Sequence, residues 1–205
     1  AHATRTLAAV DELQVVTHEA TYETGLAEFR RARPAGRTLV LFLGSNIGNF
    51  DRPGRDAFLG TVRSALRPHD ALLLGTDLVK PERELLLAYD DPLGITAAFN
   101  RNLLVRINNE LGGNVDLDAF RHQAVWNGDE SRVEMHLVSE RRQRIIVPRA
   151  GLDFEMASGE SIWTESSYKF RPEQVTSLLH DNGFDVVTQV RDDEGGFALT
   201  LAECI

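Results

Sequence analysis

Five consecutive apolar residues, Leu39-Val40-Leu41-Phe42-Leu43, end at Gly44. A run that short and uninterrupted reads as a strand buried on both faces of a parallel sheet. Asn46-Ile47-Gly48-Asn49-Phe50-Asp51 then makes a turn, and Pro53 stands where proline fits the first turn of a helix. That helix carries Phe58, Leu59, Val62, Ala65 and Leu66 at three-and-four spacing and stops at Pro68. A second apolar strand, Ala71 to Leu74, follows and is closed by Gly75-Thr76-Asp77. Strand, helix, strand in this order predicts a right-handed βαβ unit of an α/β domain.

Around that unit the pattern changes twice. Upstream, an amphipathic stretch at Leu7-Ala8-Ala9-Val10 reads as a helix entered partway along, Leu13 to Val16 as a short strand, and Gly25 to Arg33 as a helix broken by Pro34. Downstream, helices are expected at Pro81 to Tyr89 and Gly94 to Glu110. From Ala119 the chain alternates, with strands expected at Arg121 to Trp126, Arg132 to Ser139, Arg144 to Val147 and Ser161 to Tyr168, a meander inserted into the α/β domain. A helix from Pro172 to Asn182 and strands Phe184 to Val190 and Gly196 to Ala202 complete it.

Charge and cysteine usage narrow the function classes. The 205 residues carry 22 Lys+Arg against 31 Asp+Glu, and no basic stripe interrupts the acidic balance, which argues against nucleic acid as a partner. No apolar run reaches membrane-spanning length, so no membrane partner is expected either. A lone Cys204 makes no intrachain disulfide and suits a cytoplasmic location. The six histidines show no metal-ligand spacing and none neighbours a Ser or Cys nucleophile motif, so no metal site is expected.

Three segments have the right residue types for chemistry. Gly44 to Asn49 follows the carboxyl end of a predicted parallel strand, where open α/β sheets bind ligands; a ligand-facing loop and a simple turn both fit. In Trp163 to Lys169, strand alternation puts Glu165 and Ser167 on one face, where a carboxylate and a hydroxyl can meet one polar ligand, although a solvated strand face is the commoner use of such residues. Tyr89-Asp90-Asp91 either offers a phenol to a ligand or caps the following turn. Met135 reads as core or pocket lining, and Asp77 to Lys80 as a charged loop near the strand ends, for which surface solvation is the commoner use.

Taken in order, Phe42 to Asn49, Leu73 to Lys80, Ala88 to Asp91, Thr96 to Asn102 and Thr164 to Phe170 resemble the histidine-specific Nα-methyltransferases. Those enzymes trimethylate L-histidine to hercynine with S-adenosyl-L-methionine, the first step towards ergothioneine. Leu66 to Leu74 is similar to the helix-Pro-strand junction of class I methyltransferases. The resemblance implies a Rossmann-like class I methyltransferase sheet, residues 1–80 and 170–205, with an inserted antiparallel substrate-binding subdomain at 81–169. It implies Asn49 at the substrate amino group, Tyr89 at its carboxylate, Glu165 and Ser167 at the imidazole and Met135 beside it. Gly44, Thr21 and Tyr22 match positions near the cofactor, the last two standing where many members have an acidic residue and an aromatic one. No side chain is assigned as a general base, because a neutral amine can displace at a sulfonium methyl once the two are aligned.

Family members also carry a first strand with a Gly-rich cofactor loop and an acidic ribose-binding residue ahead of the part matched here. The expectation is therefore an incomplete sheet: little or no cofactor binding, no activity, an exposed strand edge and a tendency to self-associate for a chain of these residues alone. Two other readings stay open on sequence. One is an N-methyltransferase for another amino acid, such as a tryptophan derivative. The other is a noncatalytic amino-acid-binding or scaffold module.

Overall fold

The computed structural model describes residues 14–32 and 35–205. The helix expected around Leu7 to Val10 lies outside them, as does Leu13. Residues 14–16 have no strand partner, so the short strand expected at Leu13 to Val16 is not formed by its described part. The first described element is helix α1 (Tyr22–Ala32), followed by strand β1 (Leu39–Phe42), helix α2 (Arg52–Ala65) and strand β2 (Ala71–Asp77). Asp51 caps α2, its carboxylate accepting the Gly54 N–H at 2.8 Å, and Pro53 sits in the first turn as its sequence position predicts. β1 and β2 pair in parallel, from Leu39 opposite Ala71 to Phe42 opposite Leu74.

At the other end of the chain, helix α5 (Pro172–Asp181) is followed by strands β8 (Phe184–Arg191) and β9 (Phe197–Cys204). β9 inserts antiparallel between β2 and β8, giving one mixed sheet in the order β1-β2-β9-β8. Phe42, Leu72, Leu74, Ala198 and Ala202 of this sheet share a buried core with Phe58, Leu59 and Val62 of α2 and Val175 and Leu179 of α5. The opposite face is not covered by any described element. Leu39 and Leu41 are 53% and 57% exposed, and Leu199 and Val190 lie open beside them. This corrects the expectation that Leu39 to Leu43 is buried on both sides: α2 and α5 pack on one face only.

Residues between β2 and α5 build a second core. Helices α3 (Glu82–Tyr89) and α4 (Ile95–Leu111) precede strands β3 (Phe120–Asn127), β4 (Arg132–Ser139), β5 (Gln143–Val147), β6 (Leu152–Met156) and β7 (Ser161–Tyr168). β3, β4 and β7 form one antiparallel sheet, and β5 and β6 a separate hairpin. Leu104 of α4 packs with Phe120, Leu137, Ile145, Val147 and Met156. The expected single meander is thus two sheets, and β6 has no counterpart among the expected strands. Its residues are exposed except Met156, so period-two burial barely marks it, and cross-strand pairs such as Arg144 with Asp153 hold it to β5.

The two cores meet where β2 and β7 end. The Phe170 N–H donates to the Asp77 carbonyl at 3.0 Å, and the Val79 N–H to the Phe170 carbonyl at 2.9 Å. The turn after β1 (Asn46–Asn49) closes on the same place. A Cβ at Gly48 would stand 2.6 Å from the Tyr168 carbonyl oxygen, so only glycine lets this turn lie against β7.

Candidate active site

The joined strand ends bring a buried cation to an acid. Lys169, its side chain 1% exposed, places Nζ 2.8 Å from Asp77 Oδ2, and Lys80 Nζ lies 2.8 Å from Asp77 Oδ1. The Lys169 ammonium also donates to Tyr89 Oη at 2.8 Å and to Ser167 Oγ at 2.9 Å, and the Tyr89 hydroxyl donates to Ser167 Oγ at 2.7 Å. All three ammonium hydrogens are therefore used. The two hydroxyls hold two hydrogens between them and use one on each other, so one is left for an outside acceptor.

Tyr89 ends α3 and is held from behind. Its carbonyl accepts from His122 Nε2 of β3 at 2.8 Å, while the buried Asn100 amide of α4 donates to His122 Nδ1 at 2.9 Å and to the His136 carbonyl at 3.3 Å. A carbonyl only accepts, so the network assigns the imidazole proton to Nε2. Asp91 performs the capping role, its carboxylate accepting the Ile95 and Thr96 N–H groups at 3.1 and 2.7 Å. Those bonds hold its carboxyl down to about 2.

A bulge aims the strand that carries the acid. Glu165 of β7 faces Met135 of β4 and Ser167 faces Val133, but the next pair is His136 with Trp163, leaving Thr164 as the extra residue. The Thr164 hydroxyl donates to the Met135 carbonyl at 2.9 Å. In a regular strand Trp163 would share the face of Glu165; the bulge turns it to the side of His136, where the two rings stack at 6.1 Å. Arg132 lies 4.5 Å over the Trp163 ring and donates to Glu134 and Tyr168 Oη, each at 2.8 Å. Glu165, Met135, Ser167 and Lys169 are left together on the other face.

Burial pushes the Glu165 carboxyl up, and nearby Lys169 only partly offsets it. Among the described residues its carboxylate receives no hydrogen bond. Asn49 and Glu165 line one open groove of about 630 Å³, whose other walls include Arg132, Trp163 and Tyr168 from the opposite strand face; Tyr89, Met135, Ser167 and Lys169 are not among its lining residues. Of the residues expected at a substrate, the fold thus joins Tyr89 to Ser167 directly, Met135 to Glu165 across the strands, and Asn49 to Glu165 across the groove. Lys169 and Asp77 were not expected there. The alternation that marks 165 and 167 extends to 169, which was the available signal; Asp77 to Lys80 is not the solvated loop its charges suggested.

Gly44 leaves β1 at its carboxyl end with φ 75°, exposed, and a Cβ there would meet only Asn46 Nδ2, at 3.9 Å. Backbone is therefore open to a ligand at that point. Tyr22 packs edge-on against Phe42 and Phe58, each ring 5.5 Å away, so it sits two residues of β1 from Gly44. The Thr21 hydroxyl accepts the Thr24 N–H at 3.4 Å at the start of α1.

A family model described as the SAM-dependent histidine-specific methyltransferases matches residues 1–204. The chain belongs to that family. Among similar histidine-specific methyltransferases, a histidine N-alpha-methyltransferase of Mycolicibacterium smegmatis is 49% identical over 82% of this chain and 52% of its own length. One from Mycobacterium tuberculosis is 46% identical over 88% of this chain and 56% of its own. A solved S-adenosylmethionine-dependent methyltransferase from Clostridium acetobutylicum aligns at 10% identity and a TM-score of 0.47, covering 99% of this chain and 68% of that one. The chain spans about half the length of the curated family members it matches.

Proposed function

We propose that these residues carry the substrate-binding part of an enzyme that methylates the α-amino group of L-histidine, using S-adenosyl-L-methionine and yielding hercynine. The observation that carries this reading is the placement of Tyr89 against Ser167 and of Glu165 against Met135 on one sheet face, in a chain whose relatives are named for histidine methylation. Residues 81–169 are the inserted substrate-binding unit, and 1–80 with 170–205 the cofactor-facing α/β part. The cofactor supplies an electrophilic sulfonium methyl. Gly44, with open backbone at the end of β1, and the exposed Tyr22 with Thr21 are the residues of this chain suited to hold it.

In this reading Glu165 and Ser167 meet the two imidazole nitrogens, Glu165 as acceptor and the unused Ser167 hydrogen as donor. A substrate lacking ring nitrogens would leave these polar groups unpaired in a half-dry site, which is how the site selects. Tyr89 reaches the substrate carboxylate once its 2.7 Å bond to Ser167 is exchanged for ligand bonds. Asn49 accepts from the amino group and directs its lone pair. Each displacement breaks the sulfonium S–CH3 bond and forms N–CH3, the thioether leaves, and the proton lost between methylations passes to solvent, so alignment is the protein's contribution.

No described helix is long and apolar enough to cross a membrane, and we place the enzyme in the cytoplasm. Self-association through the β1 edge belongs to the same proposal. The test of the function is Asn49→Ala in the full-length protein: methyl transfer to histidine falls about a hundredfold with unchanged circular dichroism. Near-normal turnover would remove Asn49 from the site.

A further inference from the structure

Lys169 is the most buried cation of the site, and nothing in methyl transfer to a neutral amine requires one. Its surroundings explain what it does. The ammonium is anchored at one corner by Asp77, itself shared with Lys80. The other two corners donate to the oxygens of Tyr89 and Ser167, with the ammonium 4.7 Å from the Tyr89 ring centre. Each hydroxyl oxygen thereby has a lone pair engaged from the protein side, and its own hydrogen is directed away from Lys169.

We propose that Lys169, clamped by Asp77, is a positioning residue that makes Tyr89 and Ser167 hydrogen-bond donors towards the bound amino acid. This deepens the histidine reading and rests on it. Without a ligand the hydroxyls satisfy each other across 2.7 Å. When a ligand inserts acceptors, that bond breaks while both hydroxyls keep the ammonium as partner, so neither oxygen is stranded in the dry interior. Donation from a cation also polarises each O–H and strengthens its bond to the ligand. The arrangement favours ligands that present acceptors, a carboxylate and an unprotonated ring nitrogen, over cations, which the ammonium repels. The position of Lys169 follows from the fold: β7 alternation puts it on the Glu165 and Ser167 face, and the backbone bonds between Asp77 and Phe170 set its counter-ion beside it.

The test is a binding cycle in the full-length protein with free amino acids as probes. Lys169→Met keeps the length of the side chain and removes its donors; Asp77→Asn keeps the ammonium and loosens its anchor. Affinity for whichever amino acid the wild type prefers drops about tenfold or more in Lys169→Met, while S-adenosylhomocysteine binding is unchanged. In a Tyr89→Phe, Ser167→Ala background the same lysine change has little further effect, because its route to the ligand is gone. A merely structural lysine would lower melting temperature but give additive losses of affinity in the cycle, or none, and either result overturns the proposal. Wild-type preference for an amino acid other than histidine, with the coupling intact, would overturn the histidine reading and leave the lysine's role standing. A wild type that binds no amino acid overturns both.

Discussion

Glu165 stands between two demands. In the proposed reading its carboxylate binds an imidazole, which needs a site dry enough for that hydrogen bond to count, yet burial raises the carboxyl's affinity for a proton. Because the folded-state value is raised, the folded chain binds this proton more tightly than the unfolded one. The group's contribution to stability is full below the ordinary carboxylate range and is lost as pH rises through the raised value. Glu165→Gln therefore melts higher than wild type at neutral pH, and the gap closes in acid. The same variant binds histidine about tenfold or more weakly, because a charged acceptor is replaced by a neutral one. Melting curves at neutral and acid pH with a histidine titration check both halves; a variant less stable at neutral pH would show that burial is not what the carboxyl suffers.

At the scale of elements, the close seating of the β1 turn against β7 is what brings Asn49 to Glu165. Gly48→Ala forces a Cβ to 2.6 Å from the Tyr168 carbonyl. The expected cost is about 1–3 kcal/mol of stability, with loss of histidine affinity from the shift of Asn49; denaturant unfolding and titration measure the two together. Elements with strong periodicity were legible before any coordinates: α2, β2, α4, β4 and β7 appear close to where spacing put them. β6 was not, because its exposed residues show little patterned burial and its ion pairs to β5 are cross-strand matches between separate segments. The bulge at Thr164 was not either, since register is a property of two strands. Glu165 with Ser167 was legible as a same-face pair, but the choice between a solvated face and a site came only from resemblance. Lys169 needed the backbone bonds at Asp77 and Phe170, which no single segment encodes.

At the scale of the whole described part, the sheet has one face packed by α2 and α5 and another where Leu39, Leu41, Leu199 and Val190 are exposed, and among the described residues β1 has a strand partner on one side only. A chain of these residues alone self-associates with rising concentration, and Leu41→Lys reduces it by placing charge on the open edge strand. Sedimentation velocity reads this directly; a monomer at all concentrations would contradict it. The central claim, that the groups gathered at the ends of β2 and β7 recognise histidine, is tested most directly by methyl transfer from labelled S-adenosylmethionine to each common amino acid by the full-length protein. The account predicts label in the α-amino group of histidine well above every other acceptor. Label chiefly in tryptophan or another amino acid, with histidine unmodified, would contradict it.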